Sequence, residues 1–136
     1  MASYSIAEVR AIRPFYAVKL KAAGIKSTTK LLERTATPRL RKALSETAEI
    51  PAHLVIDWAN IADLTRVSGV APEYAELLVA AGVDTVRDLG RRNAANLAAR
   101  MAEENCRKPR AKAPPSEKRV ARWIETAKKL PPGMEY

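Results

Sequence analysis

Residues 11–31 read AIRPFYAVKLKAAGIKSTTKL, and residues 69–89 read GVAPEYAELLVAAGVDTVRDL. The two stretches align at an offset of 58 residues without a gap. The identical pairs are Pro14/Pro72, Tyr16/Tyr74, Ala17/Ala75, Leu20/Leu78, the Ala-Ala-Gly triplets 22–24/80–82 and Leu31/Leu89. A second match follows, in which Val55 and Trp58 recur 65 residues later as Val120 and Trp123. A repeat this long, present only twice, predicts a duplicated small domain rather than a solenoid.

The segments around the repeat carry the start and stop signals of short helices. Ser5-x-x-Glu8 is a capping box, Pro14 fits a first helical turn, and Gly24 fits a helix end. The second copy predicts a short helix over 64–67 and a longer one over 72–81. Few segments alternate apolar and polar residues as strands do. The fold class expected is therefore all-α, with about five short helices in each copy.

Length sets the domain organisation. We expect a first unit over 1–60 and a second over 61–136, the second containing a basic, flexible loop at 106–115. A unit of about 60 residues buries only about 60% of its unfolded surface, so each alone is marginally stable. The two units are therefore expected to pack as one globule.

Inward positions are predicted from helical spacing. Trp58 and Trp123 occupy equivalent places and are expected to anchor the core, with Tyr16 and Tyr74 beside them. Three polar residues of the first closing helix share one face, which is typical of a solvent-facing surface. These are Asp57, Asn60 and Asp63.

The net charge of +9 is unevenly distributed. Residues 10–42 carry +9 and residues 107–129 carry +7, whereas residues 43–106 carry −5. Two basic zones around an acidic middle indicate an anionic partner, although such charges also serve solubility.

Several function classes find no support in the sequence. No apolar run is long enough for a membrane span, the first residues lack a signal-peptide core, and a lone Cys106 suits a reducing compartment, so a cytoplasmic location is expected. No metal-ligand cluster, cofactor motif or nucleophile motif is present, so we expect no metal site, no cofactor and no enzyme activity. His53 and Asp57 are the only candidates for a catalytic role.

The turns at 11–13 and 69–71, each followed by a proline, resemble the helix-hairpin-helix motif. In that motif the turn reads glycine, hydrophobic residue, glycine, and backbone N–H groups bind a DNA phosphate. The Tyr-Ala, Leu and Ala-Ala-Gly positions, with a Trp in each closing helix, extend the resemblance to nearly the whole chain. It is similar to an uncharacterised, mainly bacterial domain-of-unknown-function family of tandem helix-hairpin-helix units. That resemblance implies the fold and no activity.

Both turns depart from the motif. The first turn has neither glycine, and Phe15 stands where a cation is common. In the second turn, Ala71 replaces the second glycine and Glu73 replaces the cation. The second hairpin is therefore predicted to be structural. The cations around the first hairpin and in the basic loop are candidates for phosphate contacts. The alternative is that these cations are ordinary solvent-exposed residues. The predicted nucleic-acid-binding residues are Arg10, Arg13, Lys19, Lys21, Arg107, Lys108, Arg110 and Lys112.

The function expected from these features is non-catalytic binding of nucleic acid, DNA rather than RNA, with weak sequence selectivity. The alternative is a protein-interaction or self-assembly module in which the degenerate hairpins serve as a scaffold. In that case the acidic middle contacts a basic surface, either of a protein partner or of a second copy.

Overall fold

The computed structural model describes residues 3–136, and its regular secondary structure in this range is helical. A short 3₁₀ helix, Ile6–Glu8, precedes the α-helices. Their bounds are α1 Pro14–Ala22, α2 Thr28–Glu33, α3 Pro38–Ala48, α4 Ala52–Leu64, α5 Pro72–Ala80, α6 Val86–Leu89, α7 Ala94–Arg107 and α8 Glu117–Lys129. Residues 3–136 form no strand, which confirms the all-α fold class.

The helices begin where the local sequence offers hydrogen-bond acceptors. The capping box of Ser5 and Glu8 is formed in full. Prolines occupy the first turns of α1, α3 and α5, where no N–H is required. Side-chain oxygens that accept from the amide three residues later belong to Ser27, Thr37, Thr85, Asn93 and Ser116. These caps depend on nearest neighbours alone, which is why the sequence predicts them.

The repeated Ala-Ala-Gly triplet ends α1 and α5 in the same way. Gly24 and Gly82 have φ of +83° and +95°, a region that favours glycine. The amides of Ile25 and Val83 donate back to Leu20 and Leu78 at 2.8 and 2.9 Å. This six-to-one bond, with an apolar residue after the glycine, is the Schellman arrangement.

One hydrophobic core runs through both halves of the chain. Its buried side chains extend from Ile6 to Ala127 and include both tryptophans. The Tyr16 and Trp58 ring centroids lie 5.5 Å apart, and those of Tyr74 and Trp123 lie 5.4 Å apart. Trp58 and Trp123 are buried, as predicted, and each is contacted by the tyrosine of its own copy.

Helix α4 differs from the prediction in two respects. It continues to Leu64, so the separate helix predicted over 64–67 is wrong, and the proposed boundary at residues 60/61 lies inside α4. The polar face of α4 is also not a solvent face, because Asn60 and Asp63 are buried while only Asp57 is exposed. Oδ2 of Asp63 accepts from the Val86 amide at 2.8 Å, and its Oδ1 accepts from Arg66 Nη1 at 2.8 Å.

Residues 131–136 cross the surface and contact earlier parts of the chain. The Glu135 amide donates to Ala36 O at 2.8 Å, and Arg41 Nη2 donates to Glu135 O at 2.7 Å. The Tyr136 hydroxyl donates to Asn60 Oδ1. This segment therefore holds α4 and the loop before α3 together.

Candidate nucleic-acid interface

Arg10 and Arg13 lie on either side of the turn before α1, and both are exposed. Arg13 is the N-cap of α1 through its backbone, and its side chain makes no capping bond. Neither guanidinium forms an ion pair within residues 3–136. Both charges are therefore available to an external anion.

Glu76 of α5 lies beside this same turn. Burial raises the pKa of its carboxyl above the ordinary 4.5, while the amides of Ala11 and Arg10 and the guanidinium groups of Arg110 and Arg10 act to lower it. The Glu76 carboxyl therefore lies near the amides of Arg10 and Ala11 at the start of this turn. Arg10 and Arg110, from the two separate basic zones of the sequence, act on one carboxylate.

Lys19 and Lys21 have different environments on α1. The Lys19 ammonium donates to Glu49 O at 3.1 Å and lies 5.0 Å from the Phe15 ring centroid. Glu49 ends α3 with φ of +55°, so Lys19 neutralises the negative end of that helix. Lys21 is exposed and has no ion pair within the described residues. Of the two, Lys21 is the freer cation.

The basic loop is held by a buried side chain that the sequence did not single out. Oδ1 of Asn105 accepts from the amides of Arg110 and Ala111 at 2.8 and 3.1 Å, and its Nδ2 donates to Ala111 O at 3.1 Å. Helix α7 also extends to Arg107, so the loop begins later than residue 106. An Asn three residues before the loop's first lysine was the available signal, because Asn readily bonds to nearby backbone.

The remaining loop cations are mostly solvated. Arg107 forms an ion pair with Glu104 at 3.4 Å, and the side chain of Arg110 donates to Lys108 O at 3.2 Å. Lys108 and Lys112 are exposed. Arg10 and Arg110 thus both act to lower the pKa of Glu76, while the Lys19 ammonium serves the end of α3.

Residues 10–130 match a family described as Domain of unknown function (DUF4332). The chain belongs to this family. Neither the curated proteins nor the solved structures gave a match. The DUF4332 match takes in α1 to α8 and stops before residues 131–136.

Among residues 3–136, no group of three or more His, Cys, Asp or Glu side chains is arranged to hold a metal ion. His53 is exposed and lines an open groove with Tyr136. Within the same range, no helix is both long and apolar enough to cross a membrane.

Two further arginines of the DUF4332 domain lie beside the second turn. Arg119 and Arg122 of α8 line a cleft with Ser68 and Gly69. The sequence placed them only within the basic zone 107–129, without a site. Their spacing of three residues, which puts both on one side of a helix, was the signal that could have selected them.

Proposed function

We propose that this protein binds nucleic acid without catalysing a reaction, and that duplex DNA is the preferred form. The observation that carries the proposal is that Arg10 and Arg13, on either side of the turn before α1, are exposed and form no ion pair within residues 3–136. We infer that Arg110 of the loop at 107–112 lies on the same side of the protein, because the guanidinium groups of Arg10 and Arg110 both act to lower the pKa of Glu76. Phosphates of one backbone can contact both zones together, and counterion release then favours binding.

The proposed contacts use side-chain cations more than turn amides. In the first turn the amides of Arg10 and Ala11 already face Glu76, so a phosphate competes with that carboxylate. Arg and Lys contacts to phosphate position a protein without reading bases. Weak sequence selectivity and steep salt dependence are the expected consequences.

The finer fold assignment belongs to the same proposal. Helices α1 and α5 each follow a short turn, begin at a proline and end at a Schellman glycine, which supports two helix-hairpin-helix-type units of a mainly bacterial family. Helix α7 has 14 residues where α3 has 11, and the α7–α8 connection is longer than the α3–α4 one. Together these differences add nine residues, and the step from the start of α6 to the start of α7 is two residues shorter than that from α2 to α3, so the offset rises from 58 to 65. A cytoplasmic location fits a DNA partner and is proposed with it.

Fluorescence anisotropy with a labelled short duplex and the matching single strand tests this function. We expect wild-type binding to weaken steeply between about 50 and 200 mM salt. Replacing Arg13 and Arg110 by Ala is expected to reduce the log–log salt slope by about 0.9 for each phosphate that the variant no longer neutralises. The matched control is Arg39→Ala with Lys42→Ala, which removes two exposed cations of the same basic zone elsewhere. Absence of wild-type binding at low salt, with the protein folded, refutes the function.

A second candidate function, protein interaction, is favoured by the outer face of α1. Phe15 and Val18 are 65% and 67% exposed, and the equivalent residues of α5 are Glu73 and Glu76. A groove of about 530 Å³ between α1 and α3 has Ala22, Leu40 and Ala43 in its wall and Lys19, Arg34 and Glu49 as its charged lining residues. A largely apolar groove with two cations and one acid favours an acidic amphipathic helix of a partner protein.

A further inference from the structure

The turn before α5 and the outer side of α8 enclose a cleft of about 390 Å³. It combines two guanidinium groups, two hydroxyl groups and an indole. Its lining residues are Ser68, Gly69, Arg119, Arg122, Trp123 and Thr126. The nearby acids Glu73 and Glu125 do not line it, so the lining carries only positive charge.

Arg119 is held in place before any ligand arrives. Its Nη1 donates to the Tyr74 hydroxyl at 3.1 Å, and its Cζ lies 4.9 Å from the Tyr74 ring centroid and 5.7 Å from that of Trp123. A guanidinium restrained by aromatic faces keeps its remaining donors for an oxyanion. Within residues 3–136, neither Arg119 nor Arg122 forms an ion pair with a carboxylate.

The turn contributes two backbone donors. The amides of Val67 and Val70 donate to Leu64 O and Val67 O, whereas within residues 3–136 the amides between them, those of Ser68 and Gly69, have no acceptor. Gly69 has φ of +89°, and a Cβ placed there would lie 3.2 Å from Trp123 Nε1. The turn therefore lies directly against α8, and Ser68 and Gly69, whose amides have no acceptor within residues 3–136, both line the cleft.

The first copy of the repeat provides an internal comparison. The residues 58 positions before Ser68 and Gly69 are Arg10 and Ala11, whose amides face the Glu76 carboxylate. The residue 65 positions before Arg122 is Asp57. The first turn thus has an anion from the protein itself, whereas the second has two arginines and no internal anion.

We propose that the cleft between Ser68–Gly69 and Arg119–Arg122 binds a phosphate oxyanion, and that the phosphodiester backbone of nucleic acid supplies it. The choice of nucleic acid as the source rests on the function proposed above, whereas affinity for the phosphate group itself does not. The second hairpin, expected from its sequence to be purely structural, then becomes a binding element because α8 supplies its cations.

Titration with inorganic pyrophosphate, followed by the two indole N–H signals in a ¹H–¹⁵N spectrum, tests the cleft directly. We expect the Trp123 signal to move and the signal of the deeply buried Trp58 to stay. Arg122→Ala is expected to weaken pyrophosphate binding about tenfold or more, as for removal of a charge-assisted hydrogen bond. Lys129→Ala removes the same charge from an exposed position of α8 outside the cleft and is expected to have a much smaller effect. An unmoved Trp123 signal, or equal weakening in the two variants, overturns the site.

Duplex DNA binding by the same two variants identifies the source of the phosphate. We expect Arg122→Ala to lower the log–log salt slope by about 0.9 and Lys129→Ala to lower it less. If wild-type protein binds no DNA but pyrophosphate moves the Trp123 signal, the nucleic-acid function fails and the oxyanion site stands with a free phosphate as its ligand. If DNA binds and Arg122→Ala changes neither measurement, the function stands and the cleft is refuted.

Discussion

At the residue scale, Glu76 is the side chain whose role could not be read from its position in the repeat. The sequence indicates an acid on an exposed helix, one turn after Glu73. In the fold it is partly buried against the turn before α1, near Arg10 and Arg110. Burial dominates over these favourable neighbours and raises the pKa of its carboxyl. Folding therefore disfavours the charged form relative to the unfolded chain.

Replacing this carboxylate gives a prediction about pH. A raised folded-state pKa contributes stability that is fully present below the unfolded value near 4.5 and is lost as the pH rises through the folded value. Glu76→Gln mimics the protonated form, so its melting temperature is expected to exceed that of wild type at pH 7. The difference is expected to vanish near pH 4. Glu73→Gln, at an exposed position of the same helix, is the control. Equal melting temperatures of Glu76→Gln and wild type at pH 7 contradict the assignment.

At the scale of elements, α1 and α5 share a start, an end and a length but present different outer faces. Both have nine residues, begin at proline and end through Ala-Ala-Gly. Their inward residues Leu20 and Leu78 are fully buried. At the positions of the exposed Phe15 and Val18 of α1, α5 has two acids, the exposed Glu73 and the partly buried Glu76. The positions that are identical in α1 and α5 serve the fold. The positions that differ carry the different functions proposed for the two halves of the chain.

The apolar face of α1 can be tested with a labelled acidic amphipathic peptide built from Leu and Glu. We expect it to bind wild type and to bind Phe15→Ser with Val18→Ser about tenfold or more weakly, because burying two large apolar side chains contributes several kcal/mol at most. Ala95→Ser, at an exposed position on α7, is the control. Light scattering tests whether a second copy of the chain occupies this face instead. If the mass of wild type rises with concentration and that of the double variant does not, the face binds a second copy. Unchanged peptide affinity in the double variant excludes α1 as a docking face.

At the scale of the whole molecule, residues 131–136 bring distant parts of the chain together. Gly133 lies against the buried ion pair of Asp63 and Arg66, and Arg66 Nη2 also donates to Pro131 O at 2.5 Å. Asp63 in turn accepts from the Val86 amide at the start of α6. One carboxylate therefore connects α4, α6 and this segment, which explains its burial.

A Cβ at Gly133 would overlap Asp63 Oδ1 and lie 2.6 Å from Arg66 Nη1. Gly133→Ala is therefore expected to lower the free energy of unfolding by about 1–3 kcal/mol, as overpacking does. Urea denaturation measures this change, and Pro132→Ala in the exposed part of the same segment is the control. A neutral Gly133→Ala variant would show that residues 131–136 do not rest on this ion pair in solution.

Local chemistry made most of the fold predictable. Caps, first-turn prolines and Schellman glycines act within a few residues, so the Ser5–Glu8 capping box, the proline start of α1 at Pro14 and its end at Gly24 were predicted from sequence alone. The one helix that was predicted wrongly, at 64–67, was placed by comparing the two copies of the repeat. The local sequence has no stop signal there that would end α4. The candidate site was less predictable, because charge in a sequence does not reveal which cations already have partners.

The sequence by itself determined the all-α fold, the repeated helix ends and the two basic zones, since these depend on composition and short-range spacing. Only the tertiary structure decided that Asp63 is buried, that Lys19 serves the end of α3, that Glu76 faces Arg10 and Arg110, and that Arg119 and Arg122 join the turn at Ser68–Gly69. Each of these depends on groups far apart in the chain. Their contacts are fixed by how the helices pack around one core, which short-range spacing does not specify.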